Sequence, residues 1–253
     1  MNFTLAYPSL MLLGKSATLA ANKISPMWGI ASEAEGLVKS LDPKLLEELP
    51  AVLTQQGVLV KDGDSVKPAK EIMCLIKALY QPEKCINVKL MEKDTANDIY
   101  FIPLDGAWVQ VIAKRGMVTV NGPFSYQTVE LCLNGYCSAV LDSDAKILCL
   151  QRSDENRKNS YTLTPGKDNF LLMESVFDIN EGSEHLSTHK FDKKSDEEKS
   201  RITQIILGKR SFVQDEAEKE PKPSLKKAAK GFIIALAVNV CASIIIGVIK
   251  AIL

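Results

Sequence analysis

The sequence has no excess of either charge. Lys plus Arg and Asp plus Glu each number 31 among 253 residues, so the formal net charge is zero. A protein that binds DNA or RNA usually carries a basic excess concentrated on one surface. The only dense basic stretch here lies at residues 222–230, directly before a long apolar segment. Nucleic acid is therefore not an expected partner.

The sequence also has little histidine and no CxxC motif. It contains six cysteines and two histidines, His185 and His189, which lie far from every cysteine along the chain. Structural zinc sites need such ligands at short, characteristic spacings. Glu184 precedes His185, so the order is not the HExxH of metalloproteases. We expect a surface pair of histidines in an extended or looped segment, and no metal site.

Recognisable catalytic motifs are missing as well. Gly14-Lys15-Ser16 matches the end of a phosphate-binding loop, but Ser9 stands where that motif needs its first glycine. The apolar residues between them predict a helix with Lys15 in solvent. There is no GxSxG elbow and no suggestive pair of carboxylates. The sequence thus predicts no catalytic residue, no cofactor and a protein that is not an enzyme; an enzyme without a visible motif is the third hypothesis.

The most informative feature present is an apolar run at the carboxyl end. Residues 231–249 contain no charged side chain, and 19 residues of helix span about 28 Å, close to the hydrocarbon core of a bilayer. The length and the lack of an amphipathic stripe favour a membrane span over a buried core helix. Residues 231–253 are therefore predicted to be a transmembrane tail anchor.

Lysines at both ends of the run predict its orientation. Basic residues beside a span favour the cytoplasmic side, and a lysine at the far end can reach the opposite headgroups. The preceding domain is therefore placed in the cytoplasm, at the cell membrane, where structural disulfides are not expected. Ser243 and Gly247 are small residues four apart, which leaves open a homodimer through the anchor. The membrane-flanking residues are Lys222, Lys226, Lys227, Lys230 and Lys250.

The amino terminus resembles a signal peptide only in part. Residues 1–23 contain an apolar patch and an alanine-rich stretch, but no basic residue precedes the patch. Pro8 interrupts the patch and Lys15 follows it closely. We expect the start of a domain, with a strand at Met1–Leu5 followed by a helix.

Helix signals dominate the first third of the chain. Ser32 with Glu35 predicts a capping box for a helix over Ser32–Ser40, and Asp42 with Pro43 predicts the start of the next helix. Pro50 should kink or split that helix, and Gly57 should end it. A short strand at residues 58–60, a turn at residues 62–64 and a helix from Pro68 to Gln81-Pro82 follow.

Strand signals dominate the middle of the chain. Alternating apolar residues predict strands at 86–90, 99–103, 108–113, 117–120 and 146–150, with turns at Asp105-Gly106 and Arg115-Gly116. Asn134-Gly135 is the strongest hairpin signal, between strands at 128–133 and 136–141, which would place Cys132 opposite Cys137. Residues 151–160 are polar and predict a loop.

The last third has mixed signals, and no internal repeat is visible. Residues 169–177 are apolar and fit a strand or a helix equally well. Ser195 with Glu198 predicts a capping box for a helix over Asp196–Leu207. We divide the chain into an α+β domain at 1–210, a charged flexible linker at 211–230 and the anchor at 231–253. The domain has a helical part at about 1–84, a β-rich part at about 85–151 and a mixed part at about 152–210.

Residues 58–66, after a helix pair and before another helix, resemble part of a winged-helix pattern. Asp62 and Asp64 cancel the charge of Lys61 and Lys67, and Glu47 and Glu48 make the preceding helix acidic. A DNA-binding winged helix would need cations there. A membrane-anchored winged-helix regulator that binds nucleic acid is therefore the alternative hypothesis, and protein binding is the preferred one.

Residues 35–151 resemble the EspG-like chaperones of type VII (ESX) secretion. The resemblance consists of the order of elements and of turn residues: Gly57-Val58, Asp62-Gly63, Ala78-Leu79, Gln81-Pro82-Glu83, Gly106 and Gly116. It implies a mixed, non-enzymatic domain that binds a helical secretion substrate or a secretion component. Family members are soluble, whereas this chain has the anchor, and residues from Ser153 onward show no match. No binding residues are carried over.

The sequence thus predicts an α+β fold with an antiparallel β-meander packed with helices, a winged-helix-like amino-terminal part and one carboxyl-terminal transmembrane helix. The predicted function is that of a membrane-tethered adaptor or chaperone-like protein, which binds a protein partner at the cytoplasmic face.

Overall fold

The computed structural model describes residues 2–92 and 95–210, which form one compact unit ending at Arg210. Helices and a large antiparallel sheet make up this unit, so the predicted α+β class is confirmed. The elements are β1 (Asn2–Ala6), α1 (Tyr7–Ser16), α2 (Pro26–Ser40), α3 (Pro43–Gln55), β2 (Leu59–Asp62), β3 (Ser65–Pro68), α4 (Lys70–Tyr80), β4 (Lys84–Glu92), β5 (Thr95–Leu104), β6 (Ala107–Lys114), β7 (Met117–Phe124), α5 (Tyr126–Leu141), β8 (Lys146–Asp154), β9 (Arg157–Pro165), β10 (Asn169–Asp178), β11 (Ser183–Asp192) and α6 (Asp196–Ile206).

Most of the predicted helix ends in the first third are confirmed. Asp42 caps α3 by accepting a hydrogen bond from the Lys44 amide, and Gly57 follows the helix with a φ of 71°. Pro50 lies inside α3, so the helix is not split there. The cap of α2 was predicted seven residues too late, at Ser32. The real cap is Ser25, whose hydroxyl accepts from the Met27 amide, and Pro26 is the first helical residue.

Nine strands of the described residues form one antiparallel sheet, in the order β1-β7-β6-β5-β4-β8-β9-β10-β11. Two four-stranded meanders, β4–β7 and β8–β11, pair through β4 and β8. Helix α5 follows the first meander and α6 follows the second. The turns at Asp105-Gly106 and Arg115-Gly116 have positive φ at both residues, as type I′ hairpins require. The architecture therefore contains a repeat that the sequence does not show.

The hairpin predicted at Asn134-Gly135 is wrong, because these residues lie inside α5. The Ser125 hydroxyl caps the helix by accepting from the Thr128 amide at 3.2 Å. The buried residues of α5 follow a helical period along one stripe: Val129, Leu133, Cys137, Val140 and Leu141. Burial of this stripe on the sheet outweighs the local turn preference of Asn-Gly. Cys132 and Cys137 consequently do not face each other across a ladder.

Replacing Gly135 with alanine tests this helix by the sign of its effect. Within a helix, alanine is more stable than glycine by roughly 0.5–1 kcal/mol, and nothing lies within 4 Å of the position of an added Cβ. We therefore expect the free energy of unfolding to rise by that amount in denaturant titrations. In a type I′ turn the same change would force positive φ on alanine and lower stability, which would contradict the helix.

The segment at 151–160 is not the predicted loop. β8 continues to Asp154 and β9 begins at Arg157. The turn between them is closed by the Asp154 carboxylate, which accepts from the Asn156 amide at 2.9 Å and the Arg157 amide at 2.8 Å. Residues 169–177, which fitted either element, form strand β10. The capped helix at Asp196 is confirmed, and the Ser195 hydroxyl accepts from the Glu198 amide.

Several predictions concern residues outside the described ranges or remain open. The described helices include none that is long and apolar enough to cross a bilayer. The predicted anchor at 231–253 and linker at 211–230 lie outside the described residues. The order helix, β2–β3 hairpin, helix is present, but a winged-helix fold stays a prediction.

Candidate protein-binding surface

The two faces of the sheet can be followed from strand to strand through the register. Directly opposed residues of neighbouring strands lie on the same face. One row therefore joins β5 to β11 across the sheet: Tyr100, Asn87, Gln151, Ser160, Ser175 and Leu186. Tyr100 packs against the hydrophobic core built from α1–α4. Leu186 at the far edge thus lies on the face of the sheet that carries those helices.

Helices cover the two faces unequally. α1–α4 share their core with side chains of β5, β6 and β7, including Ile102, Val111 and Val120. On the opposite face, α5 packs on β8 and β9, and α6 packs on β11. On the α1–α4 face, no side chain of β10 or β11 is buried. Phe170, Leu172 and Phe191 alternate with these positions and are buried on the α5–α6 face.

We call this uncovered part of the α1–α4 face the open face. It consists of the partly buried or exposed side chains of β8–β11 that point away from α5 and α6. Its principal members are Ile147, Cys149, Gln151, Thr162, Thr164, Leu171, Met173, Ser175, Phe177, Leu186 and Thr188.

An apolar stripe runs along the open face. Leu171 and Met173 are successive positions of this face on β10, and Phe177 follows after Ser175. All three apolar residues are partly buried, and Leu186 on β11 is 56% exposed. Hydroxyl side chains lie beside the stripe, since Met173 faces Thr162 on one side and Thr188 on the other. The surface is therefore apolar in the middle and mildly polar around it, as the centre of a protein interface commonly is.

Positively and negatively charged side chains surround the stripe. Phe177 lies between Lys158 and Glu184, and Leu171 faces Lys190. The Ser175 hydroxyl donates to the Glu184 carboxylate at 2.6 Å, and Lys89 pairs with Asp98 at 3.4 Å where β4 meets β5. This mixed rim does not provide the single-sign field that attracts nucleic acid.

Cys149 is the thiol of the open face, and its surroundings do not activate it. Burial raises the pKa of Cys149, and a hydrogen bond from the Thr162 hydroxyl opposes that shift only partly. A nucleophilic cysteine needs a lowered pKa, so that the thiolate is present at neutral pH. Cys149 therefore behaves as a packing residue of the sheet.

On the α5–α6 face, a polar cluster joins three strands. Tyr161 and Ser187 both form hydrogen bonds with the carboxyl group of Glu174 between them. Burial raises the pKa of Glu174 and raises the pKa of Tyr161 to about 12. The Arg152 guanidinium donates to the carbonyl of Ile206 at 3.2 Å, which ties the end of α6 to β8. The Arg152 contact helps to hold α6 on the sheet, and the Glu174 contacts join β9, β10 and β11.

The residues singled out by sequence are not brought together. His185 and His189 lie on strand β11, where four residues span roughly 13 Å, too far to share a metal ion. Gly14-Lys15-Ser16 lies in α1, and Lys15 is exposed as predicted. In the β2–β3 hairpin, Lys67 pairs with Asp62 at 3.2 Å. The membrane-flanking lysines, numbered 222, 226, 227, 230 and 250, lie outside the described residues.

Sequence reasoning missed the open face. No sequence signal marks it, although in β10 Phe170 and Leu172 are buried while Leu171 and Met173 are not. All four residues are apolar, so hydropathy alone cannot assign them to faces. Other exposed apolar residues, Leu45 and Val52 on α3 and Leu131 on α5, lie outside the open face.

Comparisons with known proteins gave one kind of match. No protein-family model matches the sequence, and no curated protein is similar to it. The structure of the Mycobacterium tuberculosis type VII secretion system chaperone EspG5, in complex with a PE25-PPE41 dimer, contains a chain similar to this one. The TM-score is 0.47 at 9% identity, over 84% of this chain and 98% of that chain. The predicted resemblance to EspG-like chaperones is thereby confirmed as a weak structural similarity.

Proposed function

We propose that this protein is a non-enzymatic adaptor or chaperone-like protein that binds an α-helical segment of a partner on the open face. The observation that carries the proposal is the unequal covering of one sheet face. Over β5–β7 this face is covered by helices of the chain itself, whereas over β8–β11 the described residues leave the apolar stripe only partly buried, with Leu186 exposed.

A sheet with apolar side chains is stabilised by a second layer packed against it. Helices already provide that layer over the first meander, and a helix from a partner would extend it over the second. Burying Leu171, Met173, Phe177 and Leu186 would contribute about 25 cal/mol for each Å² of apolar surface removed from water. The surrounding hydroxyls and charges would restrict the partner to one that presents an apolar ridge between polar flanks.

Two features support protein binding over the nucleic-acid alternative. The hairpin of the winged-helix-like part has its charges balanced, since Lys67 is paired with Asp62. The rim of the open face also mixes both signs. Catalysis has no comparable support: no cluster of three or more potential metal ligands occurs in the described ranges, and the thiol of the open face has a raised pKa.

We further propose that the protein is tethered to the cell membrane and acts in type VII secretion. The apolar run at 231–253 and the lysines that flank it support tethering at the cytoplasmic face of the cell membrane. The sequence resemblance supports a role beside a type VII secretion system. A tether would raise the local concentration of a membrane-associated partner around the open face.

Site-specific photocrosslinking in cells tests the proposal. We expect a benzophenone amino acid at Met173 to crosslink the full chain to one protein with a helical segment. The same probe at Leu131, which is 69% exposed on α5, should not capture that protein. Equal crosslinking at both positions, or none at Met173, would overturn the assignment of the open face.

A second arm separates binding from tethering. A chain lacking 231–253 is expected to leave the membrane fraction and still crosslink to the partner through position 173. Retention of this chain in membranes would refute the anchor, and would leave the crosslinking result to decide the binding surface.

A further inference from the structure

Strand β11 forms one edge of the sheet, and within the described residues its sheet neighbour is β10 alone. It pairs with β10 over ten consecutive positions without a bulge, and it contains no proline. Bulges and prolines are common devices by which edge strands avoid pairing with another chain. β11 is therefore a long, regular edge.

The direction of its free backbone groups follows from Asp192. The Asp192 amide donates to the Glu198 carboxylate, and the Asp192 carbonyl accepts from the Ser195 amide, so both groups point away from β10. Backbone direction alternates along a strand. The amides and carbonyls of Glu184, Leu186, Thr188 and Lys190 consequently point to the free edge, and all four side chains are exposed.

We propose that two copies of this chain pair antiparallel through β11 about a twofold axis at Ser187. In this register Glu184 of each copy faces Lys190 of the other, and Leu186 faces Thr188. All four free positions are then used, and Asp192, whose backbone groups are already bonded, lies outside the ladder.

The two neighbouring twofold registers of β11 give less favourable charge pairs and fewer free backbone groups. A shift toward the carboxyl end places Glu184 opposite Asp192, where two carboxylates meet and the backbone is already occupied. A shift toward the amino end places Lys190 opposite Gly182, in the β10–β11 turn. Lysine on an edge usually discourages pairing, but here each lysine meets a glutamate, so the charges select the second copy in one register.

Pairing about an axis perpendicular to the sheet keeps equivalent faces on the same side. The open faces of the two copies would therefore adjoin across the axis, with both Leu186 side chains near the junction. The dimer does not depend on the proposed partner, because its contacts are the backbone edge and the charge pairs of β11.

Substitutions that exchange the charges of Glu184 and Lys190 test the dimer, with the full chain purified in detergent. We expect the wild type to sediment as a dimer, and Lys190→Glu to weaken dimerisation at least about tenfold, because both symmetry-related pairs become repulsive. Glu184→Lys should do the same, and the double variant should restore the dimer. A wild-type monomer, or a double variant no better than either single one, would overturn the proposal.

A proline substitution distinguishes the edge from other routes to a dimer. The Thr188 amide points away from β10, so Thr188→Pro should leave the β10–β11 pairing intact. It should abolish the dimer, whereas Thr188→Val, which keeps the amide, should not. A dimer that survives Thr188→Pro forms elsewhere, such as through the anchor, and would refute the role of β11.

Disulfide trapping tests the register. Ser187 would face its own copy in a pair without hydrogen bonds, where Cα atoms lie about 4.5 Å apart, within disulfide range. Ser187→Cys should form a crosslinked dimer on air oxidation, above the wild-type background from native cysteines. His185→Cys should not, since each His185 would face His189. Crosslinking of the 185 variant alone would overturn the register.

Discussion

Replacing Leu172 with glutamate is expected to prevent folding, whereas the same substitution at Met173 should leave the protein folded. Leu172 is fully buried on the α5–α6 face of the sheet, and Met173 lies on the open face one residue later. Removing a buried leucine costs about 2–5 kcal/mol, and placing a carboxylate there costs several more. Since domains are stable by about 5–15 kcal/mol, the first change removes most or all of that stability.

Circular dichroism and denaturant titration of both variants measure this difference. Met173→Glu should change the free energy of unfolding by less than about 1 kcal/mol, because its side chain already contacts solvent. It should also abolish the crosslink expected at the open face when the probe is moved to Leu171. If Met173→Glu were as damaging as Leu172→Glu, β10 would be covered on both faces and the open face would not exist.

Replacing Gly14 with alanine is expected to destabilise the protein by about 3 kcal/mol. A Cβ at this position would lie 2.2 Å from Cζ and 2.3 Å from the hydroxyl oxygen of Tyr80. The Tyr80 ring, at the end of α4, would have to leave its buried place against α1. It would then lose its hydrogen bond to the Leu10 carbonyl, now 3.0 Å long.

Gly135→Ala is the matched control for this substitution. Both glycines lie inside helices, but Gly135 has open space around its Cα and should gain stability. Combining Gly14→Ala with Tyr80→Leu should cost less than the sum of the two single changes, because the shorter side chain makes room for the methyl group. Additive losses in chemical denaturation would show that Tyr80 is not the obstacle.

Gly14 also shows how a motif misleads when its context is ignored. Gly14-Lys15-Ser16 looks like the end of a phosphate-binding loop, and the missing first glycine argued against that interpretation. The structure supplies the positive explanation, which is that Gly14 lets the Tyr80 ring approach the backbone of α1. Because Tyr80 is 66 residues away in sequence, no local pattern could have indicated this contact.

Signals confined to a few adjacent residues predicted the structure well. Asp42 and Ser195 cap helices because their side chains bond amides two or three residues away. The Asp-Gly and Arg-Gly turns have positive φ at both residues, which glycine adopts without steric cost. Such interactions involve only local backbone, and they form where no tertiary packing opposes them.

Signals that compete with distant packing failed. Asn134-Gly135 has a strong turn preference, yet its segment buries a helical stripe of apolar residues on the sheet. Residues 151–160 are polar, yet they pair with neighbouring strands at the end of β8 and the start of β9. In both cases the energy of many tertiary contacts exceeds a local preference of about 1 kcal/mol or less.

The sequence by itself determined the α+β class, the caps of α3 and α6, the turns at Asp105-Gly106 and Arg115-Gly116 and the absence of a basic excess. These depend on composition and on contacts between near neighbours. Only the tertiary structure decided which face of β10 is covered, which strand forms the free edge and why Gly14 is glycine. Those properties arise from the order of strands in the sheet and from the side on which each helix packs, and they bring together residues that lie far apart in the chain.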